Sequence, residues 1–301
     1  MSATPEGGTF ALPPFVRPLI ARARAADGQP PFSDQSLVDL RTGARDLVAI
    51  DEVGVALVSS TEAELVIDPD ARGRGLGTTL LETVLSRTSD ELLIWAHGDH
   101  PAARALAASH GLEAVRELLH LRAPLAADTG GAVGAVGAGD TPGAAAVGTA
   151  RPDTSTAAPT LSAFRPGIDE DAWLLLNASA FAHHPEQGGV TRADLDELTG
   201  EDWFDADDFL LLWDNNQLAG YCWLKVEGDT GEFYVVGVDP DRQGSGFGRL
   251  LTEAGLARLR ERGVTTAHLY VEGDNTAAVR LYRSLGFLDD SIDIQYRAPA
   301  R

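Results

Sequence analysis

Two stretches of the chain show the same order of apolar and polar positions. In one, the apolar run Leu65-Val66-Ile67 ends at Asp68-Pro69 and leads through a glycine-rich segment into helical spacing of apolar side chains. In the other, Val236-Gly237-Val238 ends at Asp239-Pro240 and leads into the same pattern. Short apolar runs are typical of strands, and spacings of three and four residues of helices. We therefore predict a strand, a turn and a helix in each stretch, with helices from Leu76 to about Ser86 and from Phe247 to about Arg262.

The similarity continues downstream of these helices. Trp95-Ala96-His97-Gly98-Asp99-His100 corresponds to Tyr270-Val271-Glu272-Gly273-Asp274-Asn275, and each segment precedes a second predicted helix that ends at a glycine, Gly111 or Gly286. Pro69 and Pro240 lie 171 residues apart, which is too long for a solenoid repeat and suits a duplicated domain. Each copy is predicted to be a mixed α/β domain with short strands.

The segment between the copies has a different composition. Residues 126–160 consist almost entirely of Ala, Gly, Val, Thr, Pro and Ser, without hydrophobic periodicity. Such a segment has little bulk to bury and is expected to be a flexible linker. We therefore predict an N-terminal domain over residues 1–125, a linker over 126–160 and a C-terminal domain over 161–301.

The glycine-rich turns have the features of an anion site. A strand that passes through Gly-x-Gly into a helix presents backbone N–H groups at the helix N-terminus, where phosphate binds well. Glycine also permits positive φ and close approach of a ligand. The glycines of this turn are Gly75 and Gly77 in the first copy and Gly246 and Gly248 in the second. A Walker loop is excluded because no Gly-Lys-Ser/Thr follows, and the glycine spacing does not fit a Rossmann turn.

The complete strings resemble the GNAT superfamily. Gln243-Gly244-Ser245-Gly246-Phe247-Gly248 and Arg72-Gly73-Arg74-Gly75-Leu76-Gly77 both fit its Q/R-x-x-G-x-G/A signature, and residues 275–287 resemble its N-x-x-A-x-x-x-Y-x-x-x-G-F segment. The resemblance implies an α/β (mixed α+β) architecture of tandem GNAT acyl-CoA N-acyltransferase folds, each a central mixed sheet flanked by helices. It also implies acetyl-CoA as co-substrate, with its pyrophosphate on the turn and its pantetheine arm beside the preceding strand.

The residues expected to bind this co-substrate lie in both copies. In the C-terminal copy they are Val236, Gly237, Val238, Gln243, Gly244, Ser245, Gly246, Phe247, Gly248, Arg249, Asn275, Thr276, Ala277, Ala278, Val279 and Arg280. In the N-terminal copy they are Leu65, Val66, Ile67, Gly73, Arg74, Gly75, Leu76, Gly77 and Thr78.

Acetyl transfer to an amine needs a base for the ammonium proton and an acid for the departing thiolate. Glu232, on the strand before the second turn, is the predicted base, and Tyr282, where GNAT enzymes commonly place a tyrosine, is the predicted acid. Alignment on the helix-ending glycines places Ala107 opposite Tyr282, and the 171-residue offset places Thr61 opposite Glu232. Glu62 and Glu64 lie close enough that a register shift would change the second match. We expect the chemistry in the C-terminal copy alone.

A more specific resemblance rests on Ala180-Phe181-Ala182-His183-His184-Pro185-Glu186-Gln187-Gly188-Gly189, together with Gly231-Glu232-Phe233-Tyr234 and Ile94-Trp95-Ala96-His97-Gly98. With these segments the chain resembles the mycothiol synthase family of two-domain GNAT enzymes. That resemblance implies transfer of acetyl to the cysteinyl amine of cysteinyl-glucosaminyl-inositol, completing mycothiol. The substrate-binding residues it implies are Asp34, Glu186, Lys225, Glu232 and Tyr270. Asp34 is a departure, because glutamate is expected there.

The composition of the chain indicates which classes of partner and ligand it can bind. The net charge of −21 argues against a nucleic-acid partner, which requires basic clusters, and suits a cationic small molecule. The single cysteine, Cys222, excludes an internal disulfide and is predicted to be a buried core thiol. Adjacent His183 and His184 point apart without a third ligand at suitable spacing, so we predict no metal. Without a signal peptide or a long apolar run, we expect no membrane partner and a cytoplasmic, monomeric protein.

Two alternatives stay open on sequence grounds. One is a GNAT enzyme that acetylates another amine, such as an antibiotic or a protein N-terminus. The other is a non-catalytic acyl-CoA sensor.

Overall fold

The computed structural model describes residues 12–125, 158–183 and 185–300, with all their side chains except those of Asp34, Pro185 and Glu186. The chain divides into two compact units. Unit 1 contains Met1–Leu121, Tyr270–Thr276 and Asp289–Arg301, and unit 2 contains Arg122–Leu269 and Ala277–Leu288. Residues 126–157 of the predicted linker lie outside the described residues, and a strand begins at Thr160.

The N-terminal repeat forms the following elements: α1 (Val16–Asp27), α2 (Asp34–Thr42), β1 (Asp46–Ile50), β2 (Gly54–Val58), β3 (Glu62–Ile67), α3 (Leu76–Leu85), β4 (Leu92–Ala96), α4 (Pro101–Ser109) and β5 (Glu113–Pro124). The C-terminal repeat forms β6 (Thr160–Ala163), α5 (Glu170–Ala180), α6 (Pro185–Gly188), α7 (Arg192–Leu198), β7 (Phe209–Asp214), β8 (Gln217–Glu227), β9 (Thr230–Val238), α8 (Phe247–Glu261), β10 (Thr266–Glu272), α9 (Thr276–Ser284) and β11 (Leu288–Ala298). The predicted strand, turn and helix order is confirmed in both copies. Helices α3 and α8 start at the predicted residues.

Unit 1 has a mixed sheet in the order β1-β2-β3-β4-β11-β5. Strands β1 to β3 are antiparallel, β3 and β4 are parallel, and β11 pairs antiparallel with β4 from Ile294–Ala96 to Ala298–Leu92. The last strand of the C-terminal repeat therefore belongs to the unit built by the N-terminal repeat. The prediction of a single domain over residues 161–301 does not include this contribution of β11 to unit 1.

Successive side chains of β2 pack against helices on opposite faces of the sheet of unit 1. Val55 and Leu57 pack with the buried residues of α1 and α2, whereas Ala56 and Val58 pack with Leu80 and Val84 of α3. Side chains two residues apart on a strand point to the same face. Helices consequently cover both faces of the sheet.

Unit 2 repeats this arrangement with the strand order β10-β9-β8-β7-β6. Trp173 of α5 packs on one face against Phe209, Tyr221 and Trp223. Helix α8 covers the other face, where a Cβ at Gly255 would lie 2.6 Å from the ring of Phe233. Cys222 is fully buried beneath α8, as predicted.

Candidate active site and the two glycine-rich turns

The turn of the C-terminal copy connects β9 to α8. Gly244 and Gly246 have φ of 79° and 86°, and a Cβ at either would meet nothing within 4 Å. Glycine is needed there for its positive φ, and the space in front of the turn is open. The N–H groups of Phe247, Gly248 and Arg249 begin α8 and cannot bond within the helix. Together these features give an open cradle suited to a phosphate group.

The turn of the N-terminal copy repeats this geometry between β3 and α3. Gly73 and Gly75 have φ of 72° and 79°, again with nothing within 4 Å of an added Cβ. A cavity of about 420 Å³ adjoins the turn. Its lining includes all but one of the residues predicted to bind the co-substrate in this copy: Leu65, Val66, Ile67, Gly73, Gly75, Leu76, Gly77 and Thr78. The exception is Arg74, whose guanidinium donates to the carbonyl of Asp70.

In both copies two parallel strands separate beside the turn. Strand β3 pairs with β4 only from Glu62–Leu93 to Glu64–Trp95 and then runs on to Ile67. Strand β9 pairs with β10 from Thr230–Thr266 to Glu232–His268 and then runs on to Val238. The last residues of β3 and β9 thus leave one edge open for an extended ligand to add along the strand.

A β-bulge distinguishes the two copies. Trp223 of β8 pairs with Val235 of β9 and Leu224 pairs with Phe233, so Tyr234 has no opposite residue in the ladder. The β2–β3 pairing runs without such a shift. Because β9 holds one extra residue, the offset between the copies is 171 residues at the turns and 170 before the bulge. Glu62, paired with Leu93, then occupies the ladder position of Glu232, paired with His268. The prediction that Thr61 lies opposite Glu232 is therefore wrong.

The N-terminal copy keeps a carboxylate at this position and uses it in an ion pair. Glu62 Oε2 lies 2.8 Å from Nη2 of the buried Arg45, and Glu62 Oε1 accepts a 3.2 Å hydrogen bond from Gln295. At the position of Tyr282 this copy has Ala107, which is buried and lines the cavity. It therefore has no phenol at this position, and its strand carboxylate forms an ion pair with Arg45.

In the C-terminal copy, Glu232 lies half-buried on β9 directly opposite Lys225 of β8. The Lys225 ammonium is 5.4 Å from the ring centre of Trp203, and Tyr234 stacks at a tilt against the same ring, 5.3 Å away. Burial, followed by the negative charges of Glu232 and Glu201, raises the pKa of Tyr234. The structure thus brings two predicted substrate-binding residues, Lys225 and Glu232, to adjacent positions.

Tyr282 lies on α9 and is 8% exposed. Its ring meets Phe287 edge-on at 5.7 Å. Burial raises the pKa of the Tyr282 hydroxyl, and the neighbouring Cys222 acts in the same direction. The phenol is therefore protonated at neutral pH and able to donate.

The other predicted substrate-binding residues are placed differently. Tyr270 is grouped with unit 1, where its ring stacks on His120 at 4.6 Å and is half-exposed. The side chains of Asp34, on α2, and Glu186, on α6, lie outside the described atoms. Of the predicted co-substrate residues after β10, Asn275 and Thr276 belong to unit 1, and Ala277 to Arg280 form the first turns of α9 in unit 2.

One charged cluster in unit 1 was not predicted from the sequence. His97 Nδ1 lies 2.9 Å from Asp293 Oδ2, and His97 Nε2 lies 3.7 Å from Oε1 of the buried Glu64. Glu64 also accepts hydrogen bonds from Ser33 and Ser36. Burial opposes the charge on His97, but the two carboxylates raise its pKa to about 9. Asp293 is far away in sequence and arrives on β11, so no local motif could reveal this cluster.

Among the described residues, no group of three or more His, Cys, Asp or Glu side chains is arranged to hold a metal ion. Within the same ranges no helix has the length and apolar character needed to cross a membrane.

Comparison with known proteins gives a consistent picture. The model of the acetyltransferase (GNAT) family matches residues 50–112 and 176–287. The mycothiol acetyltransferase of Clavibacter sepedonicus is 44% identical, with 95% of this chain and 92% of that protein covered. Those of Sanguibacter keddieii and Kocuria rhizophila are 42% and 41% identical, each covering 95% of this chain, with 92% and 96% of those proteins covered.

Solved structures agree on the fold. A GCN5-related N-acetyltransferase from Sphaerobacter thermophilus has a TM-score of 0.69 at 22% identity, covering 96% of this chain and 92% of that one. A tandem GNAT protein from the clavulanic acid biosynthesis pathway has a TM-score of 0.58 at 19% identity, covering 95% of each chain. The predicted tandem GNAT architecture is confirmed.

Proposed function

Because the chain belongs to the GNAT acetyltransferase family and, within it, to the mycothiol acetyltransferases, we propose that it transfers acetyl from acetyl-CoA to the cysteinyl amine of cysteinyl-glucosaminyl-inositol. The observation that carries this proposal is the combination of groups in the C-terminal copy. That copy contains an open glycine turn, an open strand edge, a strand carboxylate and a protonated phenol.

The open space above Gly244 and Gly246 and the N–H groups that begin α8 support binding of the co-substrate at this turn. Acetyl-CoA supplies the acetyl group. In this proposal Val236, Gly237 and Val238 bind its pantetheine arm, residues 243–249 bind its pyrophosphate, and Asn275 to Arg280 contact it from the start of α9.

Glu232 and Tyr282 divide the proton transfers in the proposed mechanism. Glu232 accepts a proton from the acceptor ammonium, directly or through one water, so that the amine can attack the thioester carbon. Backbone N–H groups near Val238 donate to the thioester oxygen as charge develops on it. Tyr282 donates its hydroxyl proton to the departing sulfur, and the second proton that the nitrogen loses as the amide forms restores the phenol. No acyl-enzyme is required, since the acceptor attacks directly.

The acceptor carries an ammonium group and two polyol rings. Carboxylates attract the cation and accept hydrogen bonds from hydroxyl groups. We assign this contact to Asp34, Glu186, Lys225, Glu232 and Tyr270, following the resemblance to the family. Asp34 has a shorter side chain than the glutamate expected there.

The N-terminal copy is proposed to bind acetyl-CoA without catalysis. Its turn and cavity support binding, and Ala107 and the paired Glu62 argue against chemistry. The cytoplasmic location and monomeric state remain predictions.

The test is incubation of the purified protein with acetyl-CoA and cysteinyl-glucosaminyl-inositol, with CoA thiol release and product mass followed together. The proposal predicts mycothiol and one CoA per product. CoA binding without product would contradict it. Turnover of another amine in an acceptor screen would then indicate a different GNAT enzyme, and its absence an acyl-CoA sensor.

A further inference from the structure

Asn177 is a fully buried amide in the core of unit 2. It lies near the end of α5 and makes hydrogen bonds in two directions. On one side the Tyr221 hydroxyl donates to Asn177 Oδ1 at 2.6 Å. On the other side Asn177 Nδ2 donates to the backbone carbonyl of Gln187 at 2.6 Å, and Gln187 Nε2 donates back to Oδ1 at 3.2 Å.

These contacts fix the orientation of the Asn177 amide. The Gln187 carbonyl can only accept, so the nitrogen of Asn177 must face it. The oxygen then faces Tyr221, and burial of Tyr221 raises the pKa of its hydroxyl, which stays protonated and donates. A buried amide that is hydrogen-bonded through both its nitrogen and its oxygen resists rotation, because each broken bond leaves a polar atom unsatisfied.

The network joins α6 to the strand proposed to bind the co-substrate. Tyr221 of β8 lies opposite Gly237 of β9, and its ring passes so close that a Cβ at Gly237 would be 2.5 Å away. At the other end, Gly188 packs against the carbonyl of Phe181, where a Cβ would overlap that oxygen. The backbone of α6 is thereby held against the end of α5 at two consecutive residues.

We propose that Asn177 is a positioning residue for the acceptor amine: it holds the α6 backbone, which carries Glu186, in a fixed place relative to β8 and β9. The inference rests on the proposed function, in which Glu186 contacts the acceptor. It assigns Asn177 no contact with substrate.

Asn177→Asp tests this most sharply. Aspartate keeps the size and the acceptor for Tyr221 but replaces the donor that faces the Gln187 carbonyl. Loss of one buried hydrogen bond is expected to raise the KM for the amine about tenfold, with kcat and the KM for acetyl-CoA within about twofold. Tyr221→Phe, which frees one side of the amide and is milder to folding, is expected to raise the same KM about threefold.

Two controls distinguish a positioning role of Asn177 from a general loss of stability of unit 2. Phe209→Leu alters the same aromatic core without touching α6 and should lower stability while leaving the KM for the amine unchanged. Combining Asn177→Asp with Glu186→Gln should add little to the effect of Glu186→Gln on that KM, because both act through one contact. An equal rise of the KM in Phe209→Leu, or full additivity in the double variant, would overturn the proposal.

A second readout does not depend on turnover. Hydrogen exchange of the amides from Gln187 to Val190 should accelerate in Asn177→Asp and not in Phe209→Leu. If the unaltered protein forms no mycothiol, the proposed function fails; if it does and Asn177→Asp leaves both the KM for the amine and this exchange unchanged, only the positioning role fails.

Discussion

The burial of Tyr282 supports the acid role proposed for it. Tyr282 is buried, and its raised pKa keeps the hydroxyl protonated. Glu232 is half-buried on β9, where it lies opposite Lys225 of β8. A protonated phenol can donate a proton and a carboxylate can accept one, as the two proposed roles require. Sequence spacing indicated both residues, but the burial of Tyr282 and the register of Glu232 with Lys225 required the structure.

Tyr282→Phe removes the proton donor and little volume. We expect kcat to fall about 100-fold, the order of magnitude of a lost general acid, with the KM for acetyl-CoA nearly unchanged. Steady-state release of CoA thiol measures both. Tyr296→Phe, which removes a phenol oxygen in unit 1, serves as the control and should leave kcat unchanged. A kcat within twofold of the unaltered enzyme would remove Tyr282 from the mechanism.

The His97 cluster links stability to pH. In an unfolded chain this imidazole loses its proton near pH 6.5, whereas in the folded protein its pKa is about 9. The charged form is therefore favoured by folding, and its contribution is fully present below pH 6.5 and lost as the pH rises through 9. A shift of this size corresponds to about 3 kcal/mol.

His97→Gln should remove this dependence. We expect the free energy of unfolding of the unaltered protein to fall by about 3 kcal/mol more than that of the variant between pH 6 and pH 10. Urea unfolding at the two pH values measures the difference. His183→Gln changes an exposed histidine and should behave like the unaltered protein. An equal fall in the free energy of unfolding of His97→Gln and of the unaltered protein would contradict the assignment of this pH dependence to His97.

Among the elements, the β8–β9 ladder of the C-terminal copy has a bulge at Tyr234 that the β2–β3 ladder of the N-terminal copy lacks. The apolar runs, the turn glycines and the helix starts follow from local sequence, because periodicity and φ preference are local properties. A bulge depends on which residue of β8 faces which residue of β9, and a single sequence leaves that register open. For this reason the match of Glu62 with Glu232 required the structure.

The two glycine turns offer a matched pair of variants. Aspartate tolerates positive φ, so Gly246→Asp and Gly75→Asp should keep the helix starts while placing a negative charge before α8 or α3. We expect Gly246→Asp to raise the KM for acetyl-CoA more than about tenfold, since the charge repels phosphate.

Gly75→Asp should leave that KM unchanged and lower the amount of acetyl-CoA bound from two equivalents to one. Calorimetric titration gives the stoichiometry. Unchanged acetyl-CoA binding in both variants would contradict phosphate contacts at the turns.

At the scale of the whole molecule, segments of the C-terminal repeat belong to the unit built by the N-terminal repeat. Unit 1 includes residues 270–276 and 289–301 from the C-terminal repeat, and Asp293 on β11 pairs with His97. The segment between the repeats was predicted from its composition, because residues 126–160 are rich in Ala and Gly. Strand exchange could not be predicted, because β11 would satisfy its pattern of alternating side chains beside any strand of suitable length.

Cutting the chain in the predicted linker tests the exchange. Residues 1–125 alone lack β11, leaving the edge of β4 without its partner from Leu92 to Ala96. We expect this fragment to be largely unfolded by circular dichroism and to gain structure when residues 158–301 are added. A cooperative thermal transition of the isolated fragment, unchanged by the second fragment, would show that β11 is dispensable.

We propose that the C-terminal copy transfers acetyl to the cysteinyl amine. A direct comparison measures mass-identified mycothiol from the unaltered protein, from Gly75→Asp, and from the double variant Glu232→Gln with Tyr282→Phe. We expect product from the first two and a loss of at least about 100-fold in the third, with acetyl-CoA binding intact. Undiminished mycothiol formation by the double variant would place the chemistry elsewhere.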